Sequence, residues 1–225
     1  MIKSKVLSSD AQAVNFRGIC MGNIAPGMLY RSSHPIKELK QEKTISIMAN
    51  NARIAAVLNL HDTRSGINSK AFFAPWYNSL LKQNKVIALD MDFHVTGKSF
   101  KKKLKDGLKF IIKTDGPYLI HCHAGVDRTG FVCMVLEAFM GAKLDDVIND
   151  YLLSFNSIFD SDIYETEEID SQVAMQILSA MNDSIVITDQ NLQQIAETYL
   201  QKTIGLSSTE TKLLKEKLAG SQEKK

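Results

Sequence analysis

One short segment, residues 121–130, combines the residue types that transfer of a phosphoryl group requires. Cys122 is the candidate nucleophile, because amide groups, a nearby positive charge and a helix start all favour the thiolate form. Arg128 can return across the loop and bind two phosphate oxygens with its planar guanidinium group. Thr129 can donate a hydrogen bond to the sulfur when it leaves phosphorus. This spacing predicts a loop that binds a phosphate and carries the cysteine that attacks it.

The segment lies between a predicted strand and a predicted helix. Residues 117–121 are apolar and follow Asp115 and Gly116, as in a buried parallel strand. Residues 131–140 are long enough for a buried helix that ends at Gly141. A loop between them places its amides at the helix N-terminus, which favours an anion. We therefore expect the following loop residues to bind the phosphate: His123, Ala124, Gly125, Val126, Asp127 and Gly130.

His121 and the other cysteines have less specific settings. His121 either orients the loop through the backbone near Cys122 or is a buried structural histidine. Cys133 lies in the apolar helix and belongs to the core, and Cys20 has no comparable neighbours. Three cysteines without regular spacing favour a reducing compartment over a disulfide scaffold or a zinc site. We predict no metal site and no cofactor.

A phosphate monoester also needs a proton on its leaving oxygen, and a carboxylic acid is the usual donor. Residues 86–96 predict a strand that runs into a loop, and such sheets build their sites at the carboxyl ends of strands. Asp92 in that loop is the first candidate for the acid, and Asp90 is the second. At least one of the two is expected to cap the loop or the helix starting near Lys98 instead.

Cys-x5-Arg followed by Thr, with His before the cysteine, resembles the signature of the cysteine-dependent protein tyrosine phosphatase superfamily. Residues 15–18, 29–33 and 57–60 resemble the opening of its bacterial and fungal branch of tyrosine and phosphoinositide phosphatases. The similarity covers residues 14–140, with a weaker echo at residues 199–207. The resemblance implies a phosphatase that acts through a phosphocysteine and needs no metal.

The chain departs from that branch at two positions. There the loop commonly reads Cys-x-x-Gly-Lys-Asp-Arg-Thr-Gly, but here Val126 stands in place of the lysine while Asp127 remains. The missing positive charge favours a simple phosphotyrosine over a polyanionic phosphoinositide. The resemblance also implies an acid aspartate followed three residues later by a small apolar residue and often proline. Asp92 and Val95 fit, although Thr96 replaces the proline; relatives with aspartate in the loop imply Asp127 as the acid instead.

Three isolated arginines, Arg17, Arg31 and Arg64, form a further candidate set, because each could hold the loop through paired hydrogen bonds. Surface solvation is the default for an arginine. Only Arg31, inside the Tyr-Arg-Ser-Ser segment, is expected to support the loop.

Apolar strand-like runs alternate with helical patterns through the first part of the chain. The strands are predicted at residues 28–30, 54–60, 86–90 and 118–121, and the helices near residues 36–51, 69–83, 98–113, 129–140 and 144–155. This alternation predicts an α/β fold in which a mostly parallel sheet of four to five strands is flanked by helices.

The domain organisation follows from these patterns. We expect a catalytic core over residues 1–155, an acidic connecting loop over 156–170 and a helical C-terminal extension over 171–225, packed on the same domain. Within the extension, helices are predicted near residues 171–182, 189–203 and 208–219.

Composition limits the partners. A net charge of +2 is too small to imply nucleic-acid binding, and the lysines of residues 98–105 are either a solvated helix face or a local attraction for an anionic substrate or membrane. No apolar run approaches the roughly 18 residues of a membrane span. We expect a cytoplasmic protein without stable membrane insertion that acts on a phosphorylated protein or a small phosphomonoester; the oligomeric state stays open.

The leading hypothesis is therefore hydrolysis of phosphotyrosine or a similar phosphomonoester. A phosphoinositide or inositol phosphate phosphatase would use the same residues on another alcohol. A catalytically silent phosphate-binding module and a sulfurtransferase are alternatives from other classes. The intact set of Cys122, Arg128 and Thr129 argues against both.

Overall fold

In the computed structural model, the described residues are 11, 13–37, 39–71, 74–158, 167–182 and 185–220. Five strands form one sheet in the order β1-β2-β5-β3-β4, in which β1 is antiparallel to β2 and the other pairs are parallel. The strands are β1 (Arg17–Ile19), β2 (Leu29–Ser32), β3 (Ala56–Asn59), β4 (Val86–Ala88) and β5 (Tyr118–His121).

Helices cover both faces of this sheet. In the described part of the chain they are α1 (Leu39–Asn51), α2 (Arg64–Lys70), α3 (Pro75–Lys82), α4 (Lys98–Lys113), α5 (Asp127–Phe139), α6 (Leu144–Ile158), α7 (Glu167–Ser179), α8 (Leu192–Thr198) and α9 (Ser208–Leu218). A π-helix, Tyr199–Thr203, continues α8. The predicted α/β class with a mostly parallel sheet is thus confirmed.

Alternating side chains of the central strands separate two hydrophobic cores. In β5, Tyr118 and Ile120 join a core with α4 to α9, whereas Leu119 joins a core with α1 to α3. The same alternation holds in β3, where Leu58 faces the first core and Val57 the second. Because both faces are covered, the strands read as continuous apolar runs, which is why the sequence located them.

Three differences from the sequence predictions have local causes. The helix predicted over residues 69–83 is two helices, α2 and α3, because Thr63 caps α2 and Pro75 starts α3 at its first turn. Strand β1 was not predicted, since its three residues, Arg-Gly-Ile, form no apolar run. The loop expected over 156–170 is helical at both described ends, where α6 reaches Ile158 and α7 begins at Glu167; residues 159–166 lie outside the described residues.

The C-terminal helices pack into the larger core. Leu192 of α8 and Leu214 of α9 are completely buried with residues of α5. The predicted start of α9 is observed as a capping box, in which Ser207 Oγ accepts from the Glu210 amide and Glu210 accepts from the Ser207 amide. No helix among the described residues is both long and apolar enough to cross a bilayer.

Candidate active site

Cys122 lies directly after β5, and α5 begins five residues later at Asp127. The cysteine is only 2% exposed. Its Sγ accepts a hydrogen bond from the Gly125 amide at 3.2 Å. The predicted strand, loop and helix are therefore observed, with α5 starting two residues before Thr129, where the helix was expected. The sulfur is therefore buried in the loop and contacts one of its backbone amides.

The loop is held at the carbonyl oxygen of Gly125. This oxygen accepts from Asn15 Nδ2 at 3.1 Å and from an Arg31 terminal nitrogen at 2.7 Å. In a trans peptide the carbonyl and the next amide point in opposite directions, so the Val126 N–H is directed away from these two side chains. Gly125 has a φ of +77°. A Cβ there would lie 2.8 Å from the Ser33 amide nitrogen, so only glycine fits.

A second anchor holds the start of the loop. The His123 carbonyl accepts from the His34 amide at 3.1 Å. By the same planarity the Ala124 amide points away from His34. The Gly125 amide points to the sulfur of Cys122, and the peptides on either side of it are anchored through their carbonyl groups. Backbone amides at a helix start can bind an anion.

Asp150 of α6 connects the two buried arginines behind the loop. Its carboxylate accepts from Arg17 Nε at 2.7 Å and from a terminal nitrogen of Arg31. Arg17 also donates to the Asp150 carbonyl at 2.7 Å, to Ser154 Oγ at 2.5 Å and to the Asn15 side chain. Of the two anchors of the Gly125 carbonyl, Arg31 is therefore held by this carboxylate directly and Asn15 through Arg17.

A second acid, Glu137 of α5, is completely buried beside this network. Its carboxyl oxygens have no hydrogen-bond partner of normal geometry among the described residues. Burial and then the negative charge of Asp150 raise its pKa well above the ordinary value. Burial would also raise the pKa of Asp150, but the charges of Arg31 and Arg17 outweigh it and lower that pKa to about 2. Asp150 is therefore ionised at neutral pH, while burial and the charge of Asp150 favour the protonated form of Glu137.

His121 is completely buried at the end of β5. Its Nδ1 is 3.3 Å from the Cys122 carbonyl oxygen, and its Nε2 is 3.1 Å from the Tyr77 hydroxyl. Asn59 Nδ2 donates to that hydroxyl at 3.0 Å, so the tyrosine proton points to Nε2 and His121 carries its own proton on Nδ1. Burial and then the neighbouring His34 lower the pKa of His121, so the ring is neutral. The expected contact with the backbone near Cys122 is present.

Arg128 and Thr129 are placed differently from each other. Arg128 Nη1 donates to the Met91 carbonyl oxygen at 2.9 Å and to His61 Nδ1 at 3.2 Å. The guanidinium group thereby connects the cysteine loop to the loop of the predicted acid. Thr129 is buried, and its Oγ1 has no hydrogen-bond partner among the described residues, so it does not cap α5. A buried hydroxyl without a partner is available to a ligand or to the sulfur.

The three candidate acids are all exposed. Asp92 Oδ1 accepts from the His94 amide at 3.0 Å, so its side chain caps its own loop. Asp90 has a φ of +45°, and its carboxylate lies 3.8 Å from Lys103 Nζ. Asp127 is the first residue of α5. The contact between Arg128 and Met91 places the residue before Asp92 directly against the cysteine loop.

Several supporting residues were missed by sequence reasoning. Arg17 was expected on the surface but is buried. Among the described residues, Arg64 donates to the carbonyl oxygens of Val86 and Leu81, at 3.1 and 3.4 Å, and not to the cysteine loop. Asp150 was not considered, although a signal existed: it recurs with Val147, Tyr151 and Ser154 on the apolar face of α6. A charged residue on such a face is expected to have a buried partner.

No group of three His, Cys, Asp or Glu side chains within the described ranges is arranged to hold a metal ion. The site presents a thiol, an arginine, a loop whose Gly125 amide points to the sulfur, and the exposed carboxylates of Asp90, Asp92 and Asp127. This set of groups can bind a phosphate and attack its phosphorus atom.

Comparisons with known proteins bear on this arrangement. No curated protein matches the sequence. Among solved structures, the chain is similar to the core catalytic domain of the PP-IP phosphatase SIW14 from S. cerevisiae in complex with citrate, at 18% identity and a TM-score of 0.43, over 75% of this chain and 93% of that one. It is also similar to a second structure of the Siw14 catalytic core, at 17% identity and a TM-score of 0.43. That match covers 82% of this chain and 91% of the other.

The sequence profile of the tyrosine phosphatase family matches residues 11–220. This range includes the cysteine loop, the acid loop and both arginines that Asp150 connects. The resemblance drawn from the Cys-x5-Arg-Thr signature is thereby confirmed, and the chain belongs to the tyrosine phosphatase family.

Proposed function

We propose that this phosphatase hydrolyses phosphotyrosine or a similar phosphomonoester through a phosphocysteine intermediate. The Cys122 sulfur attacks phosphorus, the bond between phosphorus and the ester oxygen breaks, and the leaving alcohol takes a proton from a carboxylic acid. Water then attacks phosphorus, the phosphorus–sulfur bond breaks, and phosphate and the thiolate are released. Thr129 stabilises the departing sulfur through its hydroxyl group.

The geometry around Gly125 carries this proposal. Its amide donates to the sulfur at 3.2 Å, while its carbonyl is held on the opposite side by Asn15 and Arg31. Donors fixed before the reaction stabilise the charge that develops on the phosphate oxygens without reorganising. Arg128, which the loop carries at the start of α5, supplies a planar pair of donors to the same oxygens.

We assign the general acid to Asp92. The contact between Arg128 and the Met91 carbonyl supports this assignment, because it holds the neighbouring residue at the edge of the loop. Asp127 is the alternative, since it opens α5 within the same loop. The ionised acid then takes a proton from the attacking water in the second step.

The substrate class follows from the residues that line the loop. Val126 contributes no charge, which suits a simple phosphate ester. We expect the enzyme to work in the cytoplasm on a phosphorylated protein or a small phosphomonoester, without a metal, a cofactor or a nucleic acid.

The test measures phosphate release from phosphotyrosine peptide, phosphoserine peptide, phosphoinositides and inositol hexakisphosphate, without added metal. Cys122→Ser should abolish turnover on every substrate. Asp92→Ala should lower kcat about 10²- to 10⁴-fold, the usual contribution of a general acid. Asp106→Ala, an exposed carboxylate of α4, is the matched control.

Normal turnover by Cys122→Ser would refute the thiol mechanism. A large loss in Asp127→Ala with normal turnover in Asp92→Ala would move the acid to the cysteine loop. Transfer of sulfur from thiosulfate to cyanide in place of phosphate release would indicate a sulfurtransferase.

A further inference from the structure

Helix α4 concentrates positive charge on one side of the molecule. It contains seven lysines and one aspartate, a net charge of +6, whereas the whole chain has a net charge of only +2. The rest of the chain is therefore net negative. An anionic surface would attract the molecule at α4 and repel it elsewhere.

Six of these lysines lie on the outer side of the helix, because they recur at intervals of one, three or four residues. They form a surface that we call the lysine face: Lys98, Lys101, Lys102, Lys105, Lys109 and Lys113. The opposite side of α4 is buried in the larger core through Phe100, Leu104, Leu108 and Ile111. At 1.5 Å per residue, the helix gives this face a length of about 24 Å.

Few acids neutralise the lysine face. Lys109 Nζ is 2.9 Å from a carboxylate oxygen of Glu210 in α9, and Asp106 is the exposed aspartate of α4 itself. The six lysines and these two acids leave a net charge of +4. No ion pair with a described residue is present at four of the lysines: Lys98, Lys101, Lys102 and Lys105.

The chemistry of this face favours an anionic lipid surface over a protein partner. All the basic residues of α4 are lysines, which act as point charges and lack the paired geometry with which arginine binds a single phosphate. Among the described residues, none of the large exposed apolar side chains belongs to α4. Protein interfaces depend on such anchors, whereas lysines are attracted to anionic headgroups by charge alone.

The lysine face begins beside the candidate active site. Helix α4 starts directly after the loop that contains the three residues Asp90, Met91 and Asp92. Lys103, next to the lysine face, donates to the Asp90 carbonyl oxygen, and Arg128 of the cysteine loop donates to the Met91 carbonyl oxygen at 2.9 Å. A surface in contact with the N-terminal lysines of α4 therefore lies close to this loop.

We propose that the lysine face of α4 docks the enzyme on an anionic membrane surface. The contact is peripheral and reversible, since it depends on charge and inserts no apolar side chain. The net negative remainder of the chain keeps α4 turned toward the lipid. Docking does not depend on the phosphatase reaction, but it concentrates the enzyme near phosphorylated molecules on the same surface.

Sedimentation of the full chain with vesicles tests this docking. The vesicles contain phosphatidylcholine alone, or phosphatidylcholine and phosphatidylserine in a two-to-one ratio, and we expect binding only to the mixed vesicles. Lys101→Gln, Lys102→Gln and Lys105→Gln together should lower the partition coefficient about 100-fold, because each lysine near an anionic surface contributes ~1 kcal/mol. Raising the salt from about 0.1 M to about 1 M should release the wild type, since the screening length falls from about 10 Å to about 3 Å.

The matched control combines Lys43→Gln, Lys82→Gln and Lys85→Gln. These exposed lysines lie on or beside α1 and α3, on the opposite side of the sheet, and their replacement removes the same charge. The control should change the partition coefficient less than about threefold, because these charges lie farther from the lipid than the screening length. The salt dependence of the wild type tests the same electrostatic contact without any variant, and neither measurement uses turnover.

Three results would overturn the docking: no binding to the mixed vesicles, equal binding to both kinds of vesicle, or an equal loss in the two triple variants. Phosphatidylglycerol should replace phosphatidylserine without loss, because the lysine face responds to charge; binding to only one of these lipids would indicate a headgroup pocket instead. Tighter binding to polyglutamate than to the mixed vesicles would assign the lysine face to an acidic protein and would also refute the proposal.

Discussion

Replacing the two buried acids behind the loop, singly and together, should give strongly non-additive losses of stability. Asp150→Asn removes the carboxylate that connects Arg17 and Arg31. Glu137→Gln replaces a group beside them whose raised pKa favours its protonated form. Once the charge of Asp150 is absent, a cause of the raised pKa of Glu137 disappears, and Glu137 can ionise as a substitute partner for the arginines.

The magnitudes follow from the pKa shifts and from the cost of unpaired buried charges. The pKa of Asp150 falls from 3.8 to about 2, which corresponds to ~2 kcal/mol of stability at neutral pH. Breaking a buried ion pair outright costs about 3–5 kcal/mol. Because Glu137 substitutes for the lost carboxylate, we expect Asp150→Asn to cost ~2–3 kcal/mol and the double variant ~4–5 kcal/mol. Glu137→Gln alone should cost less than ~0.5 kcal/mol, so the coupling is about 1–2 kcal/mol.

The dependence on pH has a definite sign. The pKa of Glu137 is higher in the folded protein than its ordinary value of 4.5, so the folded state binds more protons than the unfolded state above that pH. The contribution of Glu137 to the free energy of unfolding of the wild type therefore falls as the pH rises past 4.5. Glu137→Gln lacks this contribution, so the small cost of the substitution relative to the wild type should shrink as the pH rises from 5 to 8.

Urea unfolding followed by circular dichroism measures the four proteins at both pH values, and hydrolysis of an aryl phosphate reports whether the loop is intact. Asp150→Asn should also lower kcat, since it loosens the side chains that hold the Gly125 carbonyl. Additive losses would contradict the substitution of one acid for the other. A loss in Glu137→Gln as large as that in Asp150→Asn would mean that Glu137 is ionised in the folded protein.

Three further predictions concern the loop, its histidine and a distant helix. Gly125→Ala should lower kcat/KM at least ~100-fold, because the positive φ and the contact with Ser33 force the amides out of place; wild-type kinetics would refute that geometry. Tyr77→Phe should cost ~1 kcal/mol in thermal unfolding, and a cost near zero would show that its hydrogen bonds to Asn59 and His121 contribute nothing. Ser207→Ala should lower the unfolding free energy by ~1 kcal/mol through its lost helix cap while kcat stays unchanged; altered kinetics would connect α9 to the site.

The parts of the fold found from sequence are those with a strong local signal. The buried strand β5 and the apolar helix α5 lie on either side of the cysteine loop. The hydrophobic run of β5 ends at this loop, and that of α5 ends just before Gly141. Helix α4 was predicted with its observed bounds because its apolar residues repeat at helical spacing between Gly97 and Thr114. Those elements determine where Cys122 lies.

The supporting contacts could not be found in the same way, because each joins residues far apart in the chain. Nothing local to Arg17 distinguishes it from a solvated arginine; its burial depends on Asp150, 133 residues later. The position of the Arg128 side chain likewise depends on His61 and on the Met91 carbonyl, which belong to two other loops. The spacing of residues along the chain predicts which groups can react, whereas contacts between distant residues determine how those groups are oriented.

The same long-range contacts have a consequence for synthesis of the protein. The Gly125 carbonyl is held by Asn15, 110 residues earlier, and by Arg31, which is itself fixed by Asp150. A growing chain that has just completed the cysteine loop still lacks α6 and the carboxylate that aligns both arginines. Contacts of such sequence separation form late in folding. We therefore expect nascent chains that end before α6 to be inactive. The enzyme should release phosphate only after α6 has packed against the residues of β1 and β2.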